Sequence, residues 1–228
     1  MANQGRKCWP EALEVFGRFR QDVPGAVFIA DADTHSPAGW RLDVLARQIA
    51  EHRGLPPFAE AIHFRDALRA KGLVNLRDRM ALADVALQLA AREGYGLPIA
   101  EAQAVGVLTL AQDWCSGTEL CGDGRGLLCR TKEPGRFGTW GNALDKDPDI
   151  DHALALLVDV YRHPGKAAAI RERAQAAVKT ETWDAAADAV DEGIRTAMER
   201  RAAEPARYPA PRGAQAPHPR AVPPFPPG

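Results

Sequence analysis

The sequence predicts an α/β fold in which a parallel sheet carries helices on both faces. Two observations predict it. Short apolar runs of four to six residues alternate with longer stretches whose apolar residues recur at helical spacing. The stretches between runs are long enough to hold a helix, and a parallel pairing needs such a crossover. Sheets of this kind bind ligands at the carboxyl ends of their strands.

The elements follow in order. Trp9, Leu13, Phe16 and Phe19 recur at helical spacing and predict a helix over residues 9–21. Gly25-Ala26-Val27-Phe28-Ile29-Ala30 follows a Pro-Gly break and reads as a buried strand. Leu42, Leu45 and Ile49 return to helical spacing over residues 40–52. Ala61–Phe64 is a short strand, and a helix runs from about Leu76 to Ala83. Asp84–Leu89 is the next strand. Pro98 opens a helix that ends near Gly106, and Val107–Ala111 is the strand after it. Two or three helices close the fold. One carries Leu154, Leu157, Val158 and Tyr161; the last carries Trp183, Ala187, Val190, Ile194 and Met198 on one stripe. No internal repeat is visible. Residues 1–203 therefore read as one domain. Residues 204–228 read as a disordered tail, because Pro205, Pro209, Pro211, Pro217, Pro219, Pro223, Pro224, Pro226 and Pro227 leave it unable to build a core.

Composition narrows the function. The chain has 228 residues, 46% of them apolar, which suits a globule with a real core. Its 29 basic and 30 acidic side chains leave a net charge of -1. That balance points to neither nucleic acid nor an anionic membrane surface. No stretch approaches the roughly 18 uninterrupted apolar residues of a membrane span. Met1-Ala2-Asn3-Gln4-Gly5-Arg6-Lys7 leads into no signal-peptide core, so a cytoplasmic protein is expected. Cys8, Cys115, Cys121 and Cys129 match no zinc spacing and read as reduced, partly buried thiols.

The segment that carries chemistry is Arg92-Glu93-Gly94-Tyr95-Gly96-Leu97-Pro98-Ile99-Ala100-Glu101-Ala102, between a strand and a helix. Gly94 and Gly96 have no Cβ, so backbone there can approach a ligand closely. Pro98 suits a first helical turn, where its missing N–H costs nothing. The free amides ahead of that helix are expected to form an anion site at the strand ends. Glu93 and Glu101, when ionised, only accept hydrogen bonds, which suits paired sugar hydroxyls. Taken alone, such a turn is equally consistent with a tight loop and a solvent-facing glutamate.

Other segments support less. Asp31-Ala32-Asp33 follows a strand and has the form of a manganese-binding pair, but reads better as a polar loop at a strand end. Gly122-Asp123-Gly124-Arg125-Gly126 has the look of a phosphate loop but no helix follows at once, so it reads as a turn. His63 reads as a packed or capping histidine, and Glu199-Arg200-Arg201 as a solvated helix end.

Glu93-Gly94-Tyr95-Gly96-Leu97-Pro98 with Glu101-Ala102 resembles the hallmark of glycosyltransferase family 4 (glycosyl transferases group 1), retaining enzymes of the GT-B fold, at every fixed position. Ala83-Asp84-Val85 and Gln103–Gly106 are similar to the flanking segments of that family. Glu119-Leu120, Gly126-Leu127-Leu128 and Thr182-Trp183-Asp184 are similar to its later elements, so the likeness spans about residues 3–200. Ala90 and Leu108 depart from it, standing where the family carries Ser and Pro.

The resemblance implies a Rossmann-like, nucleotide-sugar-binding domain, the C-terminal half of a GT-B enzyme. It implies that Arg6 and Lys7 neutralise the diphosphate leaving group. It implies further that Glu93, Gly94, Tyr95, Gly96 and Leu97 hold the donor sugar and that Glu101 accepts from the ribose, with Glu93 and Lys7 as the catalytic pair. The substrate is a nucleotide-diphosphate sugar, and neither cofactor nor metal is implied. The alternative is a catalytically inactive module that only binds the nucleotide sugar or acts as a scaffold. In the family a strand of about five apolar residues precedes the basic pair at the centre of the sheet; here Met1–Gly5 provide at most a stub. The expectation is that this chain alone does not transfer sugar. Either its true start lies upstream, or a separate or upstream acceptor-binding domain supplies the strand and the acceptor, or the chain is a degraded fragment.

Overall fold

The computed structural model describes residues 3–37, 39–138 and 143–204. From residue 205 the expected proline-rich tail lies outside them, as do Met1 and Ala2. The chain divides into two units, residues 1–180 and 181–228.

In the first unit a 3-10 turn at Gly5–Lys7 runs through Cys8, held at φ 50°, into α1 (Trp9–Asp22). Helix α1 buries Trp9, Leu13 and Phe16 against β1 (Phe28–Ala30), α2 (Leu42–Arg53) and Phe58. The Phe16 ring lies 5.2 Å from Phe28 and 5.9 Å from Phe58 between centroids, at the tilted angles aromatic pairs prefer. β1 pairs in parallel with β2 (Ile62–Phe64), which leads into α3 (Arg65–Ala70) and α4 (Leu76–Ala81). The strand expected over Gly25–Ala30 starts only at Phe28, because the Ala26 N–H donates to the Val23 carbonyl and closes a turn.

A second parallel sheet has the order β3 (Val85–Gln88), β4 (Leu108–Gln112), β5 (Leu127–Cys129). All five residues of β4 are buried, as expected of a strand covered on both faces. Successive side chains go to opposite faces. Leu110 packs with Val15 of α1 and Ile150 and Ala153 of α7 (Ile150–Arg162). Its neighbour Ala111 packs with Ile99 of α5 (Leu97–Ala104) and with Leu120 and Cys121 of α6 (Ser116–Cys121). Helix α8 (Pro164–Val178) joins Leu108 through Ala167.

So the predicted parallel α/β architecture is present, with helices on both faces, but the parallel strands form two sheets rather than one. β1 and β3 end their respective sheets, and a cavity of about 710 Å³ is lined by both. The structure adds a short antiparallel hairpin, Arg136–Phe137 with Leu144–Asp145, which has too few residues to show a period.

The second unit is described by α9 (Trp183–Ala203), N-capped by the Thr182 hydroxyl, which accepts from the Ala185 N–H. Its stripe of Trp183, Val190, Ile194 and Met198 is exposed, Trp183 at 88%.

Candidate functional site

The site forms where the chain leaves β3 for α5. The Ala91 N–H donates to the Arg6 carbonyl at 2.8 Å, which docks the Gly5–Lys7 turn against the segment that follows β3. Lys7 is then only 5% exposed at its side chain, and its Nζ donates to Oε1 of Glu93, itself 16% exposed. Arg6 Nη1 lies 3.1 Å from the other oxygen, Oε2, and also donates to the Arg92 carbonyl at 3.1 Å. Both cations of the basic pair thus meet on one carboxylate. The predicted Lys7, Arg6 and Glu93 are brought together although Lys7 and Glu93 stand 86 residues apart in sequence.

Gly96 is the N-cap of α5 and has φ +89°, a region that favours glycine. A Cβ there would fall 2.8 Å from the Ser116 hydroxyl and 3.2 Å from Leu120. Pro98 follows in the first helical turn. Leu97 opens α5, where a backbone N–H has no partner within the helix; Pro98 after it carries no N–H, and Ile99 and Ala100 donate to the Gly96 carbonyl. Glu101 is half-buried and shares the wall of the large cavity with Lys7, Gln88 and Pro98. Tyr95 and Leu97 are exposed, and a Cβ at Gly94 would meet open space.

The loop after β4 adds residues that the sequence reading did not single out. Cys115 holds φ 51°, ψ -137°, a conformation side chains rarely adopt. Next to it the Ser116 hydroxyl is buried without a hydrogen-bond partner, as are Oε1 of Gln112 and Nε1 of Trp114. Gln112, Trp114 and Gly117 line a small cleft with Glu93, Gly96 and Pro98. The signal was available: polar residues at the carboxyl end of a buried parallel strand stand where such sheets bind ligands.

The rival segments have structural occupations. Asp31 is paired with Arg79, Oδ1 to Nε at 3.0 Å, and Asp33 with Arg65. Asp123 and Gly124 take φ 54° and 72° in a turn. Among the described residues no group of His, Cys, Asp or Glu gathers as a metal-ligand set. Cys8, Cys121 and Cys129 are buried free thiols. Burial pushes Cys121 up to about 12 and Cys129 up to about 11, and raises Cys8 further still.

No family model matches this chain, and no curated protein matches it in sequence. Solved structures do. The C-terminal domain of a glycosyl transferase group 1 family protein (LpcC) from Francisella tularensis aligns at TM-score 0.58 and 17% identity, covering 79% of this chain and 82% of that one. HepE from Anabaena, solved in complex with UDP, aligns at TM-score 0.59 and 16% identity over 86% of this chain and 47% of that one. Sucrose-phosphate synthase from Thermosynechococcus elongatus aligns at TM-score 0.58 and 15% identity over 87% and 45%. The chain therefore spans under half the length of the two larger neighbours. Its fold is that of the C-terminal domain of a GT-B glycosyltransferase.

Proposed function

We propose that this chain is the donor-binding domain of a retaining glycosyltransferase. It holds a nucleotide-diphosphate sugar and works with an acceptor-binding domain, joined to it or separate. The observation that carries the reading is the meeting of Arg6, Lys7 and Glu93 beside the N-terminus of α5, with Glu101 on the same cavity wall as Lys7. The HepE structure holds UDP, so uridine diphosphate is the first nucleotide to test.

The chemistry follows from charge. As the bond from the anomeric carbon to the diphosphate oxygen breaks, negative charge builds on the leaving group. Cations and amides already in place stabilise that charge without reorganising. A lysine ammonium has three N–H donors. Lys7 can therefore keep its bond to Glu93 while another N–H meets the diphosphate. Arg6 adds a second cation. The amides at Gly96 and Leu97 and the Glu93 carboxylate face the sugar, and Glu101 accepts from the ribose. In this scheme donor binding is independent of metal, and the protein acts in the cytoplasm.

One observation favours a second reading. Both oxygens of Glu93 are engaged by cations, an arrangement that also suits an idle module that binds a nucleotide sugar without breaking it. Calorimetry with nucleotide-diphosphate sugars, followed by an assay of slow donor hydrolysis, separates the two. Binding with hydrolysis supports the enzyme, binding without it supports the module, and no binding of any nucleotide sugar defeats both.

A further inference from the structure

The hairpin that follows β5 stands at the carboxyl ends of β3 and β4, beside the candidate donor site. Its last residue, Asp145, is only 4% exposed. One carboxylate oxygen lies 3.1 Å from Nε of Arg92, and the other lies 3.8 Å from Nη1 of Arg136. The next residue, Lys146, reaches both strand ends. Its N–H donates to the Ala91 carbonyl at 3.3 Å, just past β3, and its own carbonyl accepts from Nε2 of Gln112, the last residue of β4, at 2.7 Å. The Lys146 ammonium pairs with Glu133 and stands 4.6 Å from the centre of the Trp114 ring, a cation–π distance.

Ala91 is therefore held from two sides. Its carbonyl takes the Lys146 N–H, and its own N–H goes to the carbonyl of Arg6. Arg92 repeats the pattern: its side chain pairs with Asp145 while its carbonyl accepts from Nη1 of Arg6. Glu93, which meets both Arg6 and Lys7, comes next in the chain. Gln112 and Trp114, the residues that Lys146 touches on the β4 side, line the same small cleft as Glu93 and Gly96. Neither Asp145 nor Lys146 lines that cleft.

A buried carboxylate is costly unless a cation is fixed beside it. The Arg92 side chain is therefore tied to the hairpin, and its backbone with it. We propose that Asp145 is a positioning residue for donor binding: through Arg92 it sets where Arg6 and Glu93 stand. It touches no donor group itself. Cations stabilise a leaving diphosphate best when they are in place beforehand. A carboxylate one step away thus governs affinity for the donor. The inference rests on the donor-site reading proposed above, and its test separates the two.

The test uses the full 228-residue chain, with UDP-, GDP- and ADP-glucose as probes in calorimetry, at a temperature where circular dichroism shows every variant folded. The probe that the unaltered chain binds most tightly is carried forward. Asp145→Asn keeps the shape and removes the charge, and is expected to weaken binding about tenfold. Arg92→Gln is expected to do the same. The double variant is expected to lose no more than either single variant, because the carboxylate acts through the arginine. If a single variant does not fold, the double variant, which leaves neither charge of the pair alone, decides: it must still lose about tenfold. Asp147→Asn is the control, since Asp147 makes a second ion pair of the same hairpin, 3.0 Å from Arg136, and affinity is expected to stay unchanged. A folded Asp145→Asn chain with a lowered melting temperature and unaltered affinity would overturn the proposal and leave the donor site standing. So would losses that add in the double variant, or an equal loss in Asp147→Asn. No binding of any probe by the unaltered chain would remove the donor-site reading, and this inference with it.

Discussion

Lys7 and Glu93 are 86 residues apart in sequence, yet the lysine Nζ donates directly to the glutamate Oε1, with the lysine side chain almost wholly out of water. The pair joins the start of α1 to the segment after β3, so it is both a structural tie and the centre of the candidate donor site. The two roles separate in a double-mutant cycle. Lys7→Met, Glu93→Gln and the double variant are expected to show a coupling energy of about 1–3 kcal/mol in denaturant unfolding. Additive effects would mean the contact contributes nothing to the fold.

Glu101 tests the donor site with less structural entanglement, because it is half-buried on the cavity wall rather than sealed in a pair. Glu101→Ala is expected to weaken nucleotide-sugar binding by about tenfold to a hundredfold, from the loss of a charged hydrogen bond of about 1.5–3 kcal/mol. Melting temperature without ligand is expected to change little. Binding of the unaltered chain is expected to survive a chelator. Calorimetry that finds unchanged affinity in the variant would remove Glu101 from the site.

Gly96 sits where the fold and the site constrain each other. Gly96→Ala places a Cβ on a residue at φ +89° and 2.8 Å from the Ser116 hydroxyl. The expected cost is about 1–3 kcal/mol in chemical denaturation. Gly94→Ala is the control, since nothing lies within 4 Å of its Cβ position. Equal stability of the two variants would show that the left-handed cap is not needed.

The buried thiols give the pH dependence. Cys121 and Cys129 ionise at about 12 and 11 in the folded chain, against 9.0 when unperturbed, because burial disfavours the thiolate. A raised folded pKa means the folded state keeps its proton longer than the unfolded state. Stability from this source is therefore whole below pH 9.0 and declines as pH rises through the folded values. At neutral pH alkylation is expected to label Cys115, the half-exposed thiol, well before Cys8, Cys121 or Cys129. Peptide mapping that found Cys121 labelled first would contradict this burial pattern.

The helices and central strands were legible because their period is long enough to read. The stripe of Trp9, Leu13, Phe16 and Phe19 predicted α1 to within a residue, and the run Val107–Ala111, apolar but for Thr109, predicted β4. The motif from Glu93 to Glu101 was legible because two glycines, a proline and two carboxylates at fixed places seldom fall together by chance. The division into two sheets was not legible, since strand order depends on contacts far apart in sequence. Nor was the loop from Gln112 to Ser116, whose significance lies in where β4 delivers it. The meeting of both cations on Glu93 escaped the sequence for the same reason: only the docking of Ala91 on Arg6 creates it.

Arg79 changes how a mutational scan of this protein should be interpreted. Its guanidinium donates to both carboxylate oxygens of Asp31 and to the carbonyls of Leu73 and Val74, a fork that lysine has too few and too flexible donors to replace. Scored by lost function alone, position 79 would stand beside Lys7 and Glu101 and invite a role in the candidate site. Scored by yield of soluble protein as well, it would fall among the core positions, because what disappears is the anchorage between the end of β1 and the entrance to α4.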